Sequence, residues 1–292
     1  MNAVKEKAYA KINLYLDVTK KREDGFHEIK TVMHTVSLAD EITVIADRTR
    51  GTSQIRISID GASFLPTDGR NLAVKAASLF LERIGGSASV TIKMKKNIPV
   101  AAGLAGGSSD AAAVLRAMNR IFGKPLGEKA MLSLAGELGS DVPYCLVGKT
   151  ALCYGRGELM TRLPDLSGVT FLIVKINEYV STPTAYTELD RVFGDFKDEK
   201  SEDGRLDTLI TSLKMGRLDY SCLYNIFEDA VFSVVPVSKS VKEQLLSLGA
   251  DAAMMSGSGP TVFGVFDSRE KAEMAAQALA QSGLASFVAH SV

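Results

Sequence analysis

A loop rich in glycine and alanine runs directly into an amphipathic segment in the stretch KKNIPVAAGLAGGSSDAAAVLRAMNR. The apolar periodicity predicts a helix that begins at Ser108 or Ser109. The first turn of a helix presents backbone N–H groups without intrahelical partners, and the helix dipole adds partial positive charge there. Gly103, Gly106 and Gly107 remove side chains that would keep an anion away. The loop is therefore predicted to bind a phosphate group, with the two serine hydroxyls as further donors.

The same stretch is also compatible with a flexible linker followed by an ordinary capped helix. Pro99 and the alanines argue against a linker, because they restrict the backbone where linkers carry serine and more glycine.

Other phosphate-binding motifs in the sequence are incomplete. A Walker A loop requires glycine where Pro143 stands, and GRGELM and GSGPTV end on Met160 and Val262 instead of the last glycine of G-x-G-x-x-G. Neither a P-loop nor a Rossmann site is predicted.

Several polar residues that could take part in binding or catalysis also have purely structural interpretations when each is considered alone. Lys11 and Asn13 lie on one face of a strand predicted over AYAKINLYLDV, about 6.5 Å apart, so that both can point into one site or toward solvent. Asp141 precedes Pro143, a common position for a helix cap. Phe26 and His27 follow an Asp-Gly turn, where packing or surface exposure is the usual explanation.

The elements that must position these residues mix strands and helices without a regular βαβ rhythm, which favours an α+β fold. Asn71 is predicted to cap a helix that ends before Gly85, and Thr182 to cap one with Pro183 in its first turn. The stretch AAMMSGSGPTVFGVF is predicted as a strand hairpin between two helices. We predict two domains, residues 1–163 and 164–292, and an exposed insert in the polar stretch after Arg191.

Composition restricts the classes of function. The 292 residues include 34 basic and 34 acidic side chains, so no global field attracts nucleic acid or an anionic membrane. The N-terminus lacks the apolar region of a signal peptide, and no apolar run is long enough to span a bilayer. The three cysteines, Cys145, Cys153 and Cys222, are predicted to be buried free thiols. We therefore predict a cytoplasmic protein.

Four motifs occur in the order found in the GHMP kinases, a superfamily named for galactokinase, homoserine, mevalonate and phosphomevalonate kinases. The stretch PVAAGLAGGSS resembles their ATP loop, and SDVPYCL and SGSGPTVF fit two further segments. The N-terminal AKINLYLDVTKKREDGFHEIKTVM is similar to the signature of the members that act on a diphosphocytidyl-linked methylerythritol. The matches extend from Ala10 to Phe263 and so cover most of the chain.

The resemblance implies a two-domain GHMP kinase fold, with a left-handed βαβ unit in the N-terminal α/β domain and a C-terminal α/β sandwich. It implies transfer of the γ-phosphate of ATP to the 2-hydroxyl of 4-diphosphocytidyl-2-C-methyl-D-erythritol, in the non-mevalonate (methylerythritol phosphate) pathway of isoprenoid synthesis. ATP and this small molecule are the expected partners, and the protein is expected to be a monomer or homodimer. Mg²⁺ is expected with ATP, and Ser109 is a possible ligand without a carboxylate cluster to support it.

The resemblance also gives roles to individual residues. Asp141 is the expected catalytic base, and Lys11 is expected to lower its pKa and to stabilise developing charge. Asn13, two residues after Lys11, joins the substrate site.

For the cytosine base, the resemblance implies stacking on Phe26 and hydrogen bonds to His27. Thr182 matches a substrate-contacting threonine, and Tyr186 matches a second aromatic residue, so the base is expected between Phe26 and Tyr186. Phe26 replaces the usual tyrosine, and Tyr186 stands where phenylalanine is frequent. Both aromatic rings can still stack on the base, whereas Phe26 has no hydroxyl to form the hydrogen bond that a tyrosine could make.

Matches to the ATP loop and the adenine pocket define the expected nucleotide-binding residues, although RNL replaces the more usual D-N-L before the first helix. They are Asn71, Lys96, Pro99, Val100, Ala101, Ala102, Gly103, Leu104, Ala105, Gly106, Gly107, Ser108 and Ser109. The three alanines stand where relatives often have glycine. Because alanine is strained at positive φ, we predict negative φ at the alanines and reserve positive φ for the three glycines.

Two other functions share part of this pattern. A homoserine or mevalonate type of kinase shares the loop but has no use for the Phe26–His27 pair or for Tyr186. A non-catalytic nucleotide-binding regulator on the same fold would tolerate loss of Lys11 and Asp141, yet both are present. The cytidyl-substrate kinase is therefore the favoured hypothesis.

Overall fold

The computed structural model describes residues 2–194 and 204–292. The chain divides into two compact units, each assembled from separate segments. The first unit contains Met1–Ala10, Ala39–Val100 and Ala105–Val147. The second unit contains Lys11–Leu38, Ala101–Leu104 and Gly148–Val292. The proposed domain limit at Leu163 stays a prediction, and most of the polar stretch predicted as an insert, residues 195–203, lies outside the described residues.

The first part of the chain begins with three strands and ends with three helices, and the first two strands each contribute residues to both units. Their bounds are β1 (Asn2–Lys21), β2 (His27–Arg48), β3 (Gln54–Asp60), α1 (Leu72–Arg83), β4 (Ala88–Lys95), α2 (Gly106–Ile121), α3 (Glu128–Leu138) and α4 (Val142–Val147).

In the first unit, β3, α1 and β4 form a βαβ unit, because β3 and β4 pair in parallel with Ile57 opposite Ile92. The end of β2 pairs with β4 in antiparallel register. Alanines along α2 are fully buried and allow α1 to pack closely against it. The left-handed sense of the βαβ unit remains a prediction from the resemblance.

Helix α1 confirms the predicted cap. The Asn71 side-chain oxygen accepts a hydrogen bond of 2.9 Å from the Ala73 N–H, and Gly85 follows the helix with a φ of 60°. This side chain fixes where the helix begins.

The second unit contains the remaining elements: β5 (Thr150–Gly155), β6 (Leu159–Arg162), β7 (Thr170–Val174), α5 (Thr182–Phe193), α6 (Arg205–Lys214), β8 (Tyr224–Asn225), α7 (Phe227–Val234), α8 (Pro236–Ser247), β9 (Ala252–Met255), β10 (Val262–Phe266), α9 (Arg269–Gln281) and β11 (Ser286–His290).

Four strands of the second unit form an antiparallel sheet in the order β11-β7-β10-β9. The predicted hairpin is confirmed, since β9 pairs with β10. Buried side chains of α5, α7, α8 and α9 share one apolar core with this sheet. Elsewhere in the unit, β5 pairs with the beginning of β2, and β8 pairs in parallel with β1. The mixed helix and strand content agrees with the predicted α+β class.

The three cysteines are thiols rather than disulfides, as predicted; Cys153 and Cys222 are buried as expected, whereas Cys145 is partly exposed. Across the described ranges, no helix combines the length and apolar character needed to cross a bilayer.

A buried histidine gives the second unit a predictable response to acid. His34 on β2 is fully buried; its Nδ1 bonds to the Thr150 hydroxyl at 2.9 Å, and its Nε2 has no partner among the described atoms. Burial lowers the pKa of His34 to about 4. The unfolded chain therefore takes up this proton first, and stability present above pH 6.5 is lost progressively as the pH falls to about 4.

We expect the wild-type protein to lose about 3 kcal/mol more unfolding free energy between pH 7 and pH 4 than the His34→Asn variant, which has no imidazole to titrate. Urea unfolding at several pH values measures the two profiles. If the unfolding free energies of the two proteins changed equally between pH 7 and pH 4, the lowered pKa of His34 would be contradicted.

Candidate functional site

The glycine-rich loop adopts a conformation that corrects the sequence prediction. Helix α2 begins at Gly106 rather than at Ser108 or Ser109, and Ala105 is its N-cap with φ 55° and ψ 29°. Ala101 also has a φ of 55°. The prediction of negative φ was therefore wrong at Ala101 and Ala105 and right at Ala102, and Gly103 has the predicted positive φ of 72°.

The physical reason lies in where the helix starts. Gly106 and Gly107 belong to the first turn of α2 and take helical dihedrals, so the prediction of positive φ was wrong for both, and the left-handed conformation falls on the N-cap Ala105 instead. An alanine in this region carries a strain of about 1–2 kcal/mol.

The Ala101→Gly variant is expected to be more stable than wild type by about 0.5–1 kcal/mol, because glycine relieves the strain and loses only part of that gain to chain entropy. Ala101 is exposed, so no packing is lost. Ala102→Gly is the matched control: its residue is buried with ordinary φ, and the change should destabilise by about 1 kcal/mol. Urea unfolding measures the free energy of unfolding of both variants. An equal loss of stability in Ala101→Gly and Ala102→Gly would contradict the strain at Ala101.

The first turn of α2 fits an anion. A Cβ atom on Gly106 would lie 3.2 Å from Ile98 Cγ2, whereas Gly107 is exposed and only Leu72 Cδ1, at 3.9 Å, approaches its Cβ position. Ser109 is buried, and its hydroxyl donates to the Tyr9 carbonyl oxygen at 2.6 Å. The open donors are therefore the backbone N–H groups of the first helical turn, where a phosphate can approach.

Lys96 lies between two buried carboxylates of the first unit. Its ammonium donates to Asp40 and, at 2.7 Å, to Asp110. Burial raises the pKa of Asp110 to about 8, and the adjacent Asp40 carboxylate adds to the rise. Although burial alone lowers it, the Asp110 and Asp40 carboxylates raise the pKa of Lys96 above its usual value. Lys96 is therefore a buried cation shared by two acidic groups.

The two residues predicted to line the adenine pocket already have protein partners. The Lys96 ammonium donates to two carboxylates, and the Asn71 side chain both caps α1 and donates to the Pro66 carbonyl oxygen at 2.9 Å. Each keeps one N–H hydrogen beyond these bonds, and its contribution to an adenine pocket remains a prediction.

Lys11 begins a chain of buried hydrogen bonds in the second unit. Its Nζ donates to Asn13 Oδ1 at 2.8 Å, Asn13 Nδ2 donates to the Thr31 hydroxyl at 2.8 Å, and that hydroxyl donates to the Tyr15 carbonyl oxygen at 2.6 Å. An ammonium has three donors. Within the described ranges, no carboxylate lies within 4.0 Å of Lys11 Nζ, so a buried cation retains donors for an anionic group.

The turn between β9 and β10 packs against this lysine. A Cβ atom on Gly257 would lie 3.3 Å from Lys11 Nζ and 3.1 Å from the Gly103 carbonyl oxygen. A Cβ atom on Gly103 would lie only 2.3 Å from the Ser256 carbonyl oxygen, and the Ser256 hydroxyl donates to the Gly103 carbonyl oxygen at 3.2 Å. Both glycines are therefore required by close backbone approach as well as by positive φ.

Asn225 holds this turn, and sequence reasoning did not identify it. Its buried amide donates to the Met255 carbonyl oxygen at 2.7 Å and to the Gly257 carbonyl oxygen at 2.9 Å, while its Oδ1 accepts from the Phe227 N–H at 3.0 Å. The hydroxyl of Thr182 lies 3.1 Å from that of Ser258 in the same turn.

Helix α5 corrects the predicted cap at Thr182. Ser181 is the N-cap, and its hydroxyl accepts from the Thr184 N–H at 3.1 Å. Thr182 is instead the first residue of the helix, with Pro183 beside it. The one-residue shift leaves the Thr182 hydroxyl for its contact with Ser258.

His27, Tyr186 and Asp190 form one cluster in the second unit. The Tyr186 ring stacks on the His27 ring with centroids 4.7 Å apart and an angle of 26° between planes. His27 Nε2 lies 2.7 Å from Asp190 Oδ1, and Lys21 Nζ donates to Asp190 Oδ2 at 2.6 Å. Burial alone raises the pKa of Asp190, but these two hydrogen bonds hold it below its usual range.

Phe26 lies at the turn before this cluster and is 54% exposed. The Arg156 guanidinium lies over its ring, 4.9 Å from the centroid. The exposed ring offers a stacking surface, while the predicted partner Tyr186 is stacked on His27. Whether a base lies between Phe26 and Tyr186 remains a prediction.

Asp141 precedes α4 in the first unit, and its backbone rather than its side chain closes the first turn. Its carbonyl oxygen accepts from the Cys145 N–H at 3.0 Å. Among the residues that the structure describes, none forms a hydrogen bond or ion pair with its half-buried carboxylate. The carboxylate therefore has no capping role.

The comparisons with known proteins define the class. A model of the GHMP kinases N terminal domain matches residues 71–149, and one of the GHMP kinases C terminal region matches residues 207–285. The fold also resembles that of a homoserine kinase from Cytophaga hutchinsonii, with a TM-score of 0.74, 23% identity, and coverage of 100% of this chain and 95% of that chain. The chain is therefore a GHMP kinase, a class of ATP-dependent small-molecule kinases.

Closer relatives narrow the class. The 4-diphosphocytidyl-2-C-methyl-D-erythritol kinase of Caldicellulosiruptor saccharolyticus is 42% identical over 275 residues, covering 94% of this chain and 91% of that protein. The enzyme of the same name from Acetivibrio thermocellus is 39% identical over 100% of both chains. A crystal structure of 4-(cytidine 5'-diphospho)-2C-methyl-D-erythritol kinase matches with a TM-score of 0.80, 32% identity and 98% coverage of each chain. The chain belongs to the 4-diphosphocytidyl-2-C-methyl-D-erythritol kinase family.

Proposed function

We propose that the chain transfers the γ-phosphoryl group of ATP to the 2-hydroxyl of 4-diphosphocytidyl-2-C-methyl-D-erythritol, a step of the methylerythritol phosphate pathway of isoprenoid synthesis. The observation that carries this proposal is the stacked His27–Tyr186 pair beside exposed Phe26, in a chain 42% identical to a kinase of that name. Homoserine and mevalonate contain no nucleobase that such a cluster would bind.

Asp141 is the proposed base. As the hydroxyl oxygen bonds to the γ-phosphorus, its proton passes to the Asp141 carboxylate, and the bond from phosphorus to the bridging oxygen breaks to release ADP. The absence of any hydrogen bond from the described residues to this carboxylate supports the role, because both oxygens remain able to accept the proton.

Lys11 is the proposed electrostatic partner. Its ammonium uses one donor on Asn13, and the remaining donors can stabilise negative charge that develops on the phosphoryl oxygens. Asn13 in turn bonds to Thr31, so the ammonium is held in place before substrate binds.

The loop from Pro99 to Ser109 is the proposed triphosphate site, with the first-turn N–H groups of α2 as its donors. Mg²⁺ bound with ATP would neutralise phosphate charge, held mainly by phosphate oxygens and water. Over the described part of the chain, His, Cys, Asp and Glu form no cluster of three or more suited to a metal ion. Ser109, the possible ligand named from the sequence, is buried and its hydroxyl donates to the Tyr9 carbonyl oxygen at 2.6 Å, so no protein ligand is proposed for Mg²⁺.

The cytidyl group is proposed to bind at Phe26, His27 and Tyr186, with the Thr182 hydroxyl contacting the substrate nearby. The exposed Phe26 ring supplies a stacking surface, and His27 supplies hydrogen bonds. A cytoplasmic location and a monomeric or homodimeric state also remain proposals.

The direct test incubates the protein with Mg-ATP and, separately, the cytidyl substrate, homoserine or mevalonate, with ADP release and ³¹P NMR of the product as readouts. Turnover of the cytidyl substrate alone is expected, with a new phosphomonoester signal. Turnover of homoserine or mevalonate instead would reassign the enzyme within its class. ATP binding without turnover of any of the three substrates would favour the alternative of a non-catalytic nucleotide-binding regulator.

A further inference from the structure

Asn225 connects the strand that carries Lys11 with the turn that packs against this lysine. The residue ends β8, which pairs in parallel with β1, and Leu16 of β1 lies opposite it. The next residue, Ile226, donates its N–H to the Leu16 carbonyl oxygen at 3.0 Å. Lys11 lies earlier on the same strand, β1. The backbone at Asn225 is therefore fixed to the strand of Lys11.

Three hydrogen bonds define the orientation of the Asn225 side chain. Its NH₂ group donates one hydrogen to the Met255 carbonyl oxygen at 2.7 Å and the other to the Gly257 carbonyl oxygen at 2.9 Å. Its oxygen accepts from the Phe227 N–H at 3.0 Å. Exchanging the amide oxygen and nitrogen would place an acceptor against two carbonyl oxygens and a donor against an N–H, so only one orientation fits. Asn225 therefore holds the turn after β9 at two points.

The part of the turn that Asn225 holds is also the part that borders Lys11. A Cβ atom on Gly257 would lie 3.3 Å from Lys11 Nζ, so the backbone of this glycine limits where the ammonium can go. On β1, the same ammonium donates to the Asn13 side-chain oxygen at 2.8 Å. Its position therefore depends on the turn as well as on Asn13.

We propose that Asn225 is a positioning residue for phosphoryl transfer, which holds the Gly257 backbone against Lys11 and so fixes where the ammonium meets the phosphoryl oxygens. Electrostatic stabilisation requires a charge that is in place before the transition state forms, and a misplacement of about 1 Å can lower a rate about 100-fold. Asn225 is buried, so it acts through the turn rather than by contact with the substrate. This inference rests on the proposed function, because Lys11 is the proposed electrostatic partner in that reaction.

The Asn225→Asp variant of the full-length protein tests this role with little change in side-chain shape. A carboxylate offers no hydrogen to the Met255 and Gly257 carbonyl oxygens and repels both, so the turn loses its fixed position. We expect kcat to fall about 10- to 100-fold, because negative charge develops on the phosphoryl oxygens in the transition state. The KM for the cytidyl substrate should change less than about threefold.

A double-mutant cycle shows whether the loss of kcat passes through Lys11. In the Lys11→Met background there is no ammonium to position, so Asn225→Asp should lower kcat by less than about twofold. General damage to the second unit would instead lower kcat equally in both backgrounds. Single-turnover ADP formation measures the four rates, including those of the slow Lys11→Met enzymes.

Asn119→Asp is the matched control in the first unit. Its NH₂ group donates to the Leu126 carbonyl oxygen at 2.9 Å and its oxygen accepts from the Leu126 N–H at 3.1 Å, so this asparagine also holds a loop. The same substitution there should leave kcat within about twofold of wild type. Asn225→Ala, which introduces no buried charge, provides the same comparison if Asn225→Asp does not fold.

Equal losses of kcat with and without Lys11 would overturn the inference, as would an Asn225→Asp enzyme with kcat within about twofold of wild type. If neither Asn225 variant folds, the role of the residue is structural and the inference fails. Failure of the proposed function is distinguishable, because wild type would then not phosphorylate the cytidyl substrate. The cycle would then use the acceptor that wild type does phosphorylate, whether homoserine, mevalonate or water, and a loss independent of Lys11 would again be decisive against the inference.

Discussion

The Asp141→Asn variant is expected to lose about 10³-fold or more in kcat, with the Kd for ATP within about threefold of wild type. The amide has the shape of the carboxylate but cannot take the proton from the attacking hydroxyl. No hydrogen bond from a described residue is lost, so the fold of the first unit should be retained. Single-turnover ADP formation and calorimetry of ATP binding measure the two quantities.

Asp251→Asn is the matched control for this variant. Asp251 is an exposed aspartate just before β9, and the same chemical change there should leave kcat unchanged. A fully active Asp141→Asn enzyme would remove the residue from the mechanism and leave it only its backbone contact at the start of α4.

The Lys96→Met variant is expected to lower the free energy of unfolding by about 3–5 kcal/mol, because it leaves buried acidic groups without their cation. Asp40 is fully buried, and its other oxygen accepts from the Asn97 N–H at 2.6 Å and the Ile98 N–H at 2.8 Å. Since these two residues lead into the loop from Pro99 to Ser109, which is proposed to bind the triphosphate, the KM for ATP should also rise.

The pH dependence identifies the cause of this loss. Burial already raises the pKa of Asp110 to about 8, and without the cation this group loses the charge that favours its ionised form, so the deficit should shrink as the pH falls and Asp110 is protonated. Lys95→Met is the control, because its exposed ammonium lies 3.8 Å from Glu41 and such pairs contribute little. A deficit of the same size in both variants, or one that does not depend on pH, would contradict the buried-charge explanation. Urea unfolding between pH 5 and pH 8 provides the measurement.

Local patterns in the sequence predict many of the helices and strands. Strict alternation at Ile55, Ile57 and Ile59 predicts β3, and Asn71 marks the start of α1, because both signals depend only on neighbouring residues. The start of α2 was predicted two or more residues late, since glycines in the first turn do not look helical by propensity. That single shift also explains the error at Ala105, which is the N-cap of the helix.

The residues that support the site could not be found in the same way. Asp190 and His27 are 163 positions apart, Asn225 and Met255 are 30 apart, and Asp40 and Lys96 are 56 apart. Each looks like an ordinary polar residue beside its own neighbours. Only tertiary structure brings an acceptor to a histidine or a cation to a buried carboxylate, and no local periodicity records such a pairing.

The interleaved segments of the two units have a consequence for synthesis on the ribosome. All segments of the first unit have been made once Val147 has emerged, so its core can form while the rest of the chain is still being translated. The residues Leu16, Val18 and Ile29 must instead wait for partners such as Phe227 and Val262. A fragment that begins at residue 164 would lack those three core side chains, and it would need the N-terminal segment added in trans or by circular permutation to fold.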